Sequence, residues 1–259
     1  MNNRGHYNVI IIGAGSAGAA LASRLSDNKN INVLLLEEGS YYPTLDQTPE
    51  DIKKWHVRGT PSIANHHKRD FVIRINQYQN RDKLMHSGRV IGGTSAVNGA
   101  FFLRGLPEDF DDWASIGNDE WSFVKILPYF LKVEHDMDYK GDFHGSSGPL
   151  PIQRMPLESL LPSAVAFQKA SLAEGFLYRP DMNHPEAEGV GLLPLNRWGG
   201  IRVNTAIAYL NPVRHRLNLT IRGSTKVSQI LFQDMRAVGV EVKSGGKSFK
   251  LYAEEIVLC

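Results

Sequence analysis

Three glycines set the first candidate chemistry. In Gly13-x-Gly15-x-x-Gly18 they stand where an apolar run, Val9 to Ile12, gives way to a run of small residues from Ala19 to Ser26. This spacing between a strand and a helix is the fingerprint of a dinucleotide site. Gly13 makes the tight turn, Gly15 lets the backbone approach a pyrophosphate, and Gly18 lets helix and sheet pack closely. The helix that follows would offer unpaired N–H groups and the positive end of its dipole to phosphates, with Ser16 and Ala17 of the turn among the candidate contacts. About 20 residues on, Glu37 ends the second apolar strand, where a carboxylate accepts hydrogen bonds from ribose hydroxyls. For Glu38, beside it, a cofactor contact and an ordinary solvated charge are both open. The bland alternative for the whole motif is a glycine-rich turn that binds nothing; strand, helix and acid in register argue against it.

A second glycine pair stands far downstream, in the run from Ser87 to Ala100 (SGRVIGGTSAVNGA). Gly92 and Gly93 can bring backbone amides against a large planar cofactor and its phosphates where a side chain would clash. Asn98 offers both donor and acceptor to the edge of a planar ring. Arg89, Thr94, Gly99 and Ala100 flank these positions and complete the candidate set, with a glycine-rich helix start as the rival reading.

The elements that must position these residues open as strand, turn, helix, strand (Ile31 to Leu36), the start of a parallel α/β sheet. From Tyr41 to about Lys83 the pattern dissolves, a stretch long enough to be an excursion covering a ligand. Tyr41, Tyr42, Trp55 and Phe71 are its candidate covering aromatics, with core packing as the alternative use. Helical signals return at Pro107 to Ile116, Trp121 to Glu134 and Ser163 to Glu174. Between them Gly141 to Pro151 is a glycine-rich break before a strand-like run, Pro149 to Gln153. Beyond Asn218 the sequence predicts a meander of antiparallel strands at 219–222, 226–232, 237–242 and 248–252, then a last strand, 255–259. The expected fold class is α/β, a Rossmann-like domain with a parallel sheet and an antiparallel meander, plus part of an inserted α+β domain. The expected segments are 1–145, 146–204 and 205–259.

Composition narrows the function. The 259 residues carry 29 Lys and Arg against 27 Asp and Glu, a net charge of +2, so no basic field argues for nucleic acid. The single cysteine, Cys259, excludes a disulfide within the chain. No apolar run approaches the roughly 20 residues of a spanning helix, and the polar start Met1 to Tyr7 is no signal peptide, so the expected location is cytoplasmic. His66, His67, His144, His184 and His215 lack a carboxylate or histidine partner at ligand spacing, and the expectation is solvated loop histidines with no metal. Asn218-Leu-Thr220 fits the glycosylation pattern, an accident in a protein that is not secreted.

The run from Ser87 to Ala100, continued by Phe101 to Gly105 (FFLRG), resembles the first signature of the glucose-methanol-choline (GMC) oxidoreductase family, R-G-(K/R)-V-L-G-G-(S/T)-S-x-x-N-x. The likeness continues through Asp109 to Trp113, Trp121 to Phe130, Phe143 to Leu150, Arg202 to Pro212 and the pair Lys226-Val227 with Arg236 to Val240. Most of the chain is covered. The resemblance implies the N-terminal, FAD-binding half of a choline dehydrogenase-like or alcohol oxidase-like enzyme that passes a hydride from an alcohol carbon to flavin. It implies that Asn98 meets the flavin edge and that the backbone at Val227 faces the adenine. It also implies that the catalytic histidines lie in a C-terminal half, members being about twice this length, so no residue here takes a catalytic role and the chain alone is expected to be inactive. His86-Ser87 replaces a frequent Pro-Arg, and Asn204 stands where serine is common. Val97 replaces the histidine that carries covalent FAD in some members, so FAD is expected to be non-covalent. The implied partners are a small alcohol and the chain's own C-terminal half as a separate polypeptide. A hydroxynitrile lyase-like member, a non-catalytic flavin-binding subunit and an ordinary nicotinamide dehydrogenase remain as alternatives.

Overall fold

Val9 to Ile12 is apolar throughout because its strand lies inside a sheet covered on both faces, as the computed structural model of the chain makes plain. The structure describes residues 6–54, 63–76, 78 and 82–259, in two compact units: 1–99 with 202–259, and 100–201. The first unit opens with β1 (His6–Ile12), α1 (Ser16–Leu25) and β2 (Val33–Leu36). Side chains alternate across β1. Val9 and Ile11 pack with Ala19 and Ala22 of α1, while Ile10 turns to the opposite face. Within the expected excursion stand a one-turn helix, α2 (Glu50–Lys53), and a hairpin of β3 (Lys68–Ile73) and β4 (Lys83–Gly88). No sequence pattern announces that hairpin, because Arg69 to Val72 and Lys83 to Ser87 give it no consistently buried face.

The second unit starts with α3 (Pro107–Ser115) and α4 (Phe123–Val133). Pro107 at the first helical position and Asp109, whose carboxylate accepts the Leu106 N–H at 2.8 Å, start α3. Next come β5 (Glu134–Asp136), β6 (Leu150–Arg154), α5 (Pro162–Ala173), which has no buried residue, and β7 (Pro194–Leu195). β5, β6 and β7 form a three-stranded sheet. Position 145, the expected end of the first segment, falls inside this unit, where the Gly145 N–H bonds the Glu134 carboxylate at 2.9 Å. Two-residue strands β8 (Arg197–Trp198) and β9 (Ile201–Arg202) flank Gly199-Gly200.

The chain returns to the first unit in β10 (Leu219–Arg222), β11 (Lys226–Gln233), β12 (Arg236–Ser244) and β13 (Lys247–Leu258). The sheet order is β10-β2-β1-β13-β12-β11. Two expectations need correction. β10 belongs to no meander; it pairs parallel with β2, Leu219 opposite Val33. The strands expected at 248–252 and 255–259 are one, whose first part pairs antiparallel with β12 and whose last part pairs parallel with β1. That long strand carries the meander back over the sheet, so Val240 and Val242 pack on Ile10, Leu34 and Leu36, on the face opposite α1. Burying such side chains contributes about 1.5–3 kcal/mol each. Among the described residues no helix is long and apolar enough to cross a membrane.

Candidate functional site

The two glycine turns lie in backbone contact. The Gly92 N–H donates to the Ala14 carbonyl at 2.8 Å, and a Cβ built on Gly93 would stand 2.6 Å from the Gly15 Cα. Gly13, at φ 100°, and Gly93, at φ 54°, occupy the left-handed region that side chains disfavour. A Cβ on Gly18 would sit 1.9 Å from the Gly13 carbonyl oxygen, so only glycine lets α1 start this close to β1. The Gly93 N–H donates to Val90 at 2.7 Å. Both amides of the second pair therefore bond within the protein, and its glycines are required by the neighbouring turn and by Asn204, whose Oδ1 would lie 3.2 Å from a Cβ on Gly92. The N–H groups of the exposed Ser16 and Ala17 belong to the first turn of α1, which has no intrahelical acceptors for them.

Glu37 ties this turn to the end of β2. Its carboxylate accepts the Ala14 N–H at 3.1 Å and the Gly39 N–H at 2.9 Å, and burial raises its pKa above the usual carboxylate range against the pull of those bonds. Glu38 is no lone solvated charge. One oxygen meets both Arg69 and the Arg89 Nε, the latter at 2.7 Å. Burial would raise its pKa, but the bond and charge of Arg69, with Arg89 and Lys226, outweigh that and hold it low. Gly13, Glu37, Glu38, Arg89, Thr225 and Val227 are among the residues lining a cavity of about 300 Å³. A wider concavity of about 800 Å³, lined by His6, Asp234 and Tyr252 among others, holds neither glycine turn. The exposed Thr94 accepts the Gly88 N–H at 3.1 Å, and the half-buried Asn98 donates its backbone N–H to Thr94 at 2.9 Å. Gly99 ends the first unit; Ala100, at φ 59°, opens the second.

A dinucleotide fits this arrangement on three grounds. Gly13 and Gly18 let the turn pack against protein backbone while a Cβ on Gly15 would meet only the Gly93 Cα, at 3.9 Å, the first turn of α1 has no intrahelical acceptors for its N–H groups, and a partly desolvated carboxylate stands on the cavity wall. The aromatics divide otherwise. Tyr41 packs on the core, the Tyr42 hydroxyl meets His67 Nε2 at 2.6 Å, and Phe71 lies on the open hairpin under Arg69. Trp55 lies outside the described residues.

Two of the expected loop histidines are buried. His67, 1% exposed, has Nδ1 2.9 Å from Asp51 Oδ2. His144 lies 3.2 Å from carboxylate oxygens of Glu134 and Asp136 and 2.8 Å from Asp181. Glu134, Asp136 and His144 are close enough to share a metal ion, but Arg104 and Arg154 already hold the same carboxylates. Burial disfavours the imidazolium, yet Asp136, Asp181 and Glu134 outweigh it and push the His144 pKa up to about 11. Glu134, Asp136, Asp181 and, at 3.6 Å from Arg154, Asp138 thus meet Arg104, His144 and Arg154, which describes an ion network of the second unit. Sequence reasoning missed these groups because their partners are 8 to 37 residues away with no periodic spacing. His66, His184 and His215 are exposed as expected. Asn218 donates its amide to the Ser26, Asn28 and Ile31 carbonyls, so its side chain ties a loop.

A family model described as GMC oxidoreductase matches residues 7–259. An oxygen-dependent choline dehydrogenase of Sinorhizobium fredii is 36% identical over 241 residues, 92% of this chain and 42% of that one. Among solved structures, pyridoxine 4-oxidase from Mesorbium loti is similar at a TM-score of 0.86 and 32% identity, covering 98% of this chain and 49% of that one. An FAD-dependent oxidoreductase from Chaetomium thermophilum is similar at a TM-score of 0.80 and 26% identity, covering 98% and 45%. The chain spans about half the length of the relatives it matches.

Proposed function

The chain belongs to the GMC oxidoreductase family, and from that premise we propose that it holds FAD, without a covalent bond, as the cofactor-bearing part of an enzyme that oxidises the CH–OH group of a small alcohol. The observation that carries this reading is the backbone contact between the two glycine turns beside the cavity walled by Glu37. Gly13 and Gly18 shape the turn, Gly15 leaves room for the pyrophosphate, and Ser16 and Ala17 present N–H groups to it. Glu37 accepts from the ribose, and the backbone at Val227 flanks the adenine. Arg89 stands on the wall of that same cavity, and Gly92, Gly93, Thr94, Asn98 and Gly99 serve the flavin side. Bound FAD supplies the acceptor for a hydride and its electron pair.

The chain's own residues orient the cofactor and do not remove the alcohol proton. His67 and His144 are committed to buried carboxylates. The base is assigned to a polypeptide matching the remainder of the relatives' length, and the location of the whole is proposed to be cytoplasmic. Val97, at the position of covalent attachment in some members, has no nucleophile, which supports dissociable FAD. The test is anaerobic addition of simple and aromatic alcohols to the FAD-loaded 259-residue chain. The expected result is no bleaching of flavin absorbance until the complementary polypeptide is added. Bleaching at enzyme-like rates by the chain alone would overturn the assignment of the base, and flavin that stays with acid-precipitated protein would overturn dissociable binding.

A further inference from the structure

Arg202 heads the fully buried side chains by size, at 1% exposure, and has no ion-pair partner among the described residues. Its Nη1 donates to three carbonyl oxygens, those of Asp51 at 3.4 Å, Ile52 at 3.1 Å and Ala96. Its Nε has no hydrogen-bond partner there. The nearby Asp51 carboxylate is taken by His67 and by the Ala64 N–H, each at 2.9 Å. Burial pushes the guanidinium pKa down to about 10, so it remains charged at neutral pH. Burying a cation without a carboxylate costs several kcal/mol, and a short apolar residue would avoid that cost.

The carbonyls it holds explain what the charge does. Ala96 ends the turn Gly93–Ala96 that carries the second glycine pair, and Asp51 and Ile52 lie in α2. Neighbours of Arg202 in the returning chain grip the same turn. The Thr205 N–H donates to Ser95 Oγ at 3.0 Å, Ser95 Oγ donates to the Gly92 carbonyl at 2.6 Å, and Asn204 fills the space over Gly92. The adenosine-side cavity, with Gly13, Glu37, Glu38 and Val227 on its wall, has no bond to Arg202. The turn that meets Gly15 is therefore shaped by a segment 106 or more residues away in sequence.

We propose that Arg202 is a positioning residue for the cofactor. It fixes the turn 92–98 so that the flavin-side half of FAD is bound, while the adenosine-side half binds independently of it. This rests on the FAD reading above. The test measures dissociation constants for FAD and for AMP with the 259-residue chain as wild type, Arg202→Lys and Arg202→Met, with near-UV circular dichroism to establish folding. Losing hydrogen bonds from a charged group predicts that FAD affinity falls about 10-fold to 100-fold in Arg202→Met. AMP affinity should hold within about 2-fold, with Arg202→Lys between. Should Arg202→Met fail to fold, Thr205→Val, which removes the hydroxyl contacts to Ser95 and Gly92, is expected to show the same split more weakly. FAD and AMP weakening in equal ratio, or FAD affinity unchanged in folded variants, would overturn the positioning role. Wild type that binds neither ligand would instead overturn the FAD reading itself.

Discussion

Gly93 carries two constraints at once, a left-handed φ of 54° and a neighbouring backbone 2.6 Å from where a Cβ would stand. Gly93→Ala is expected to cost on the order of 1–3 kcal/mol and to lower the thermal midpoint, read by far-UV circular dichroism. At Glu37 both oxygens accept backbone N–H groups, so Glu37→Gln turns one acceptor into a donor facing a donor. The expected loss is about 1–3 kcal/mol in urea unfolding, with weaker AMP binding measured by calorimetry. The glycines at 13, 15 and 18 were legible because strand, turn and helix constrain one another within a few residues. The pairing of Glu38 with Arg69 and Arg89 was not, since it joins a strand end to a hairpin without periodicity. The partners of Gly93 and Arg202 were hidden for the same reason, being set by tertiary return of the chain.

The ion network joins β5 and β6 to Arg104 and Asp181, and His144 is its titrating cation. Its folded pKa, about 11, lies above the ordinary imidazole value of about 6.5. The folded state therefore binds the proton more tightly, so the contribution to stability is fully present below about pH 6.5, declines as pH rises, and is gone above about pH 11. Urea unfolding of wild type and His144→Gln from pH 6 to pH 10 should show the wild-type advantage shrinking steadily toward alkaline pH. An advantage that grew with pH would contradict the network. Strand β1 was readable from its unbroken apolar run, as a strand buried on both faces should be. The parallel pairing of β10 was not, because four residues from Leu219 carry no mark of which neighbour they will choose. β13 was split in reading because its exposed Glu254 interrupts the apolar pattern while the backbone continues through it.

At the scale of the molecule, a net charge of +2 and an α/β sheet with glycine turns at its strand ends fit a small-molecule cofactor better than a polymer. The class of fold was legible because βαβ patterning leaves few architectures open. The limits of the second unit, 100–201, were not, because α3 and α4 carry helical signals that say nothing of the unit they join. The chain spans 42% of one relative and 49% of another, and the proposed scheme assigns the proton-removing group to the remainder. The claim on which the scheme stands is that the turns at 13–18 and 92–93 grip one FAD. It is tested most directly by titrating FAD into the 259-residue chain with flavin fluorescence as the readout, wild type beside Gly15→Val and Gly93→Val. One FAD per wild-type chain is expected, with binding weakened by about 10-fold or more in each folded variant. A folded wild type that ignores FAD, or a Gly93→Val variant that binds it as wild type does, would contradict a shared grip by the two turns.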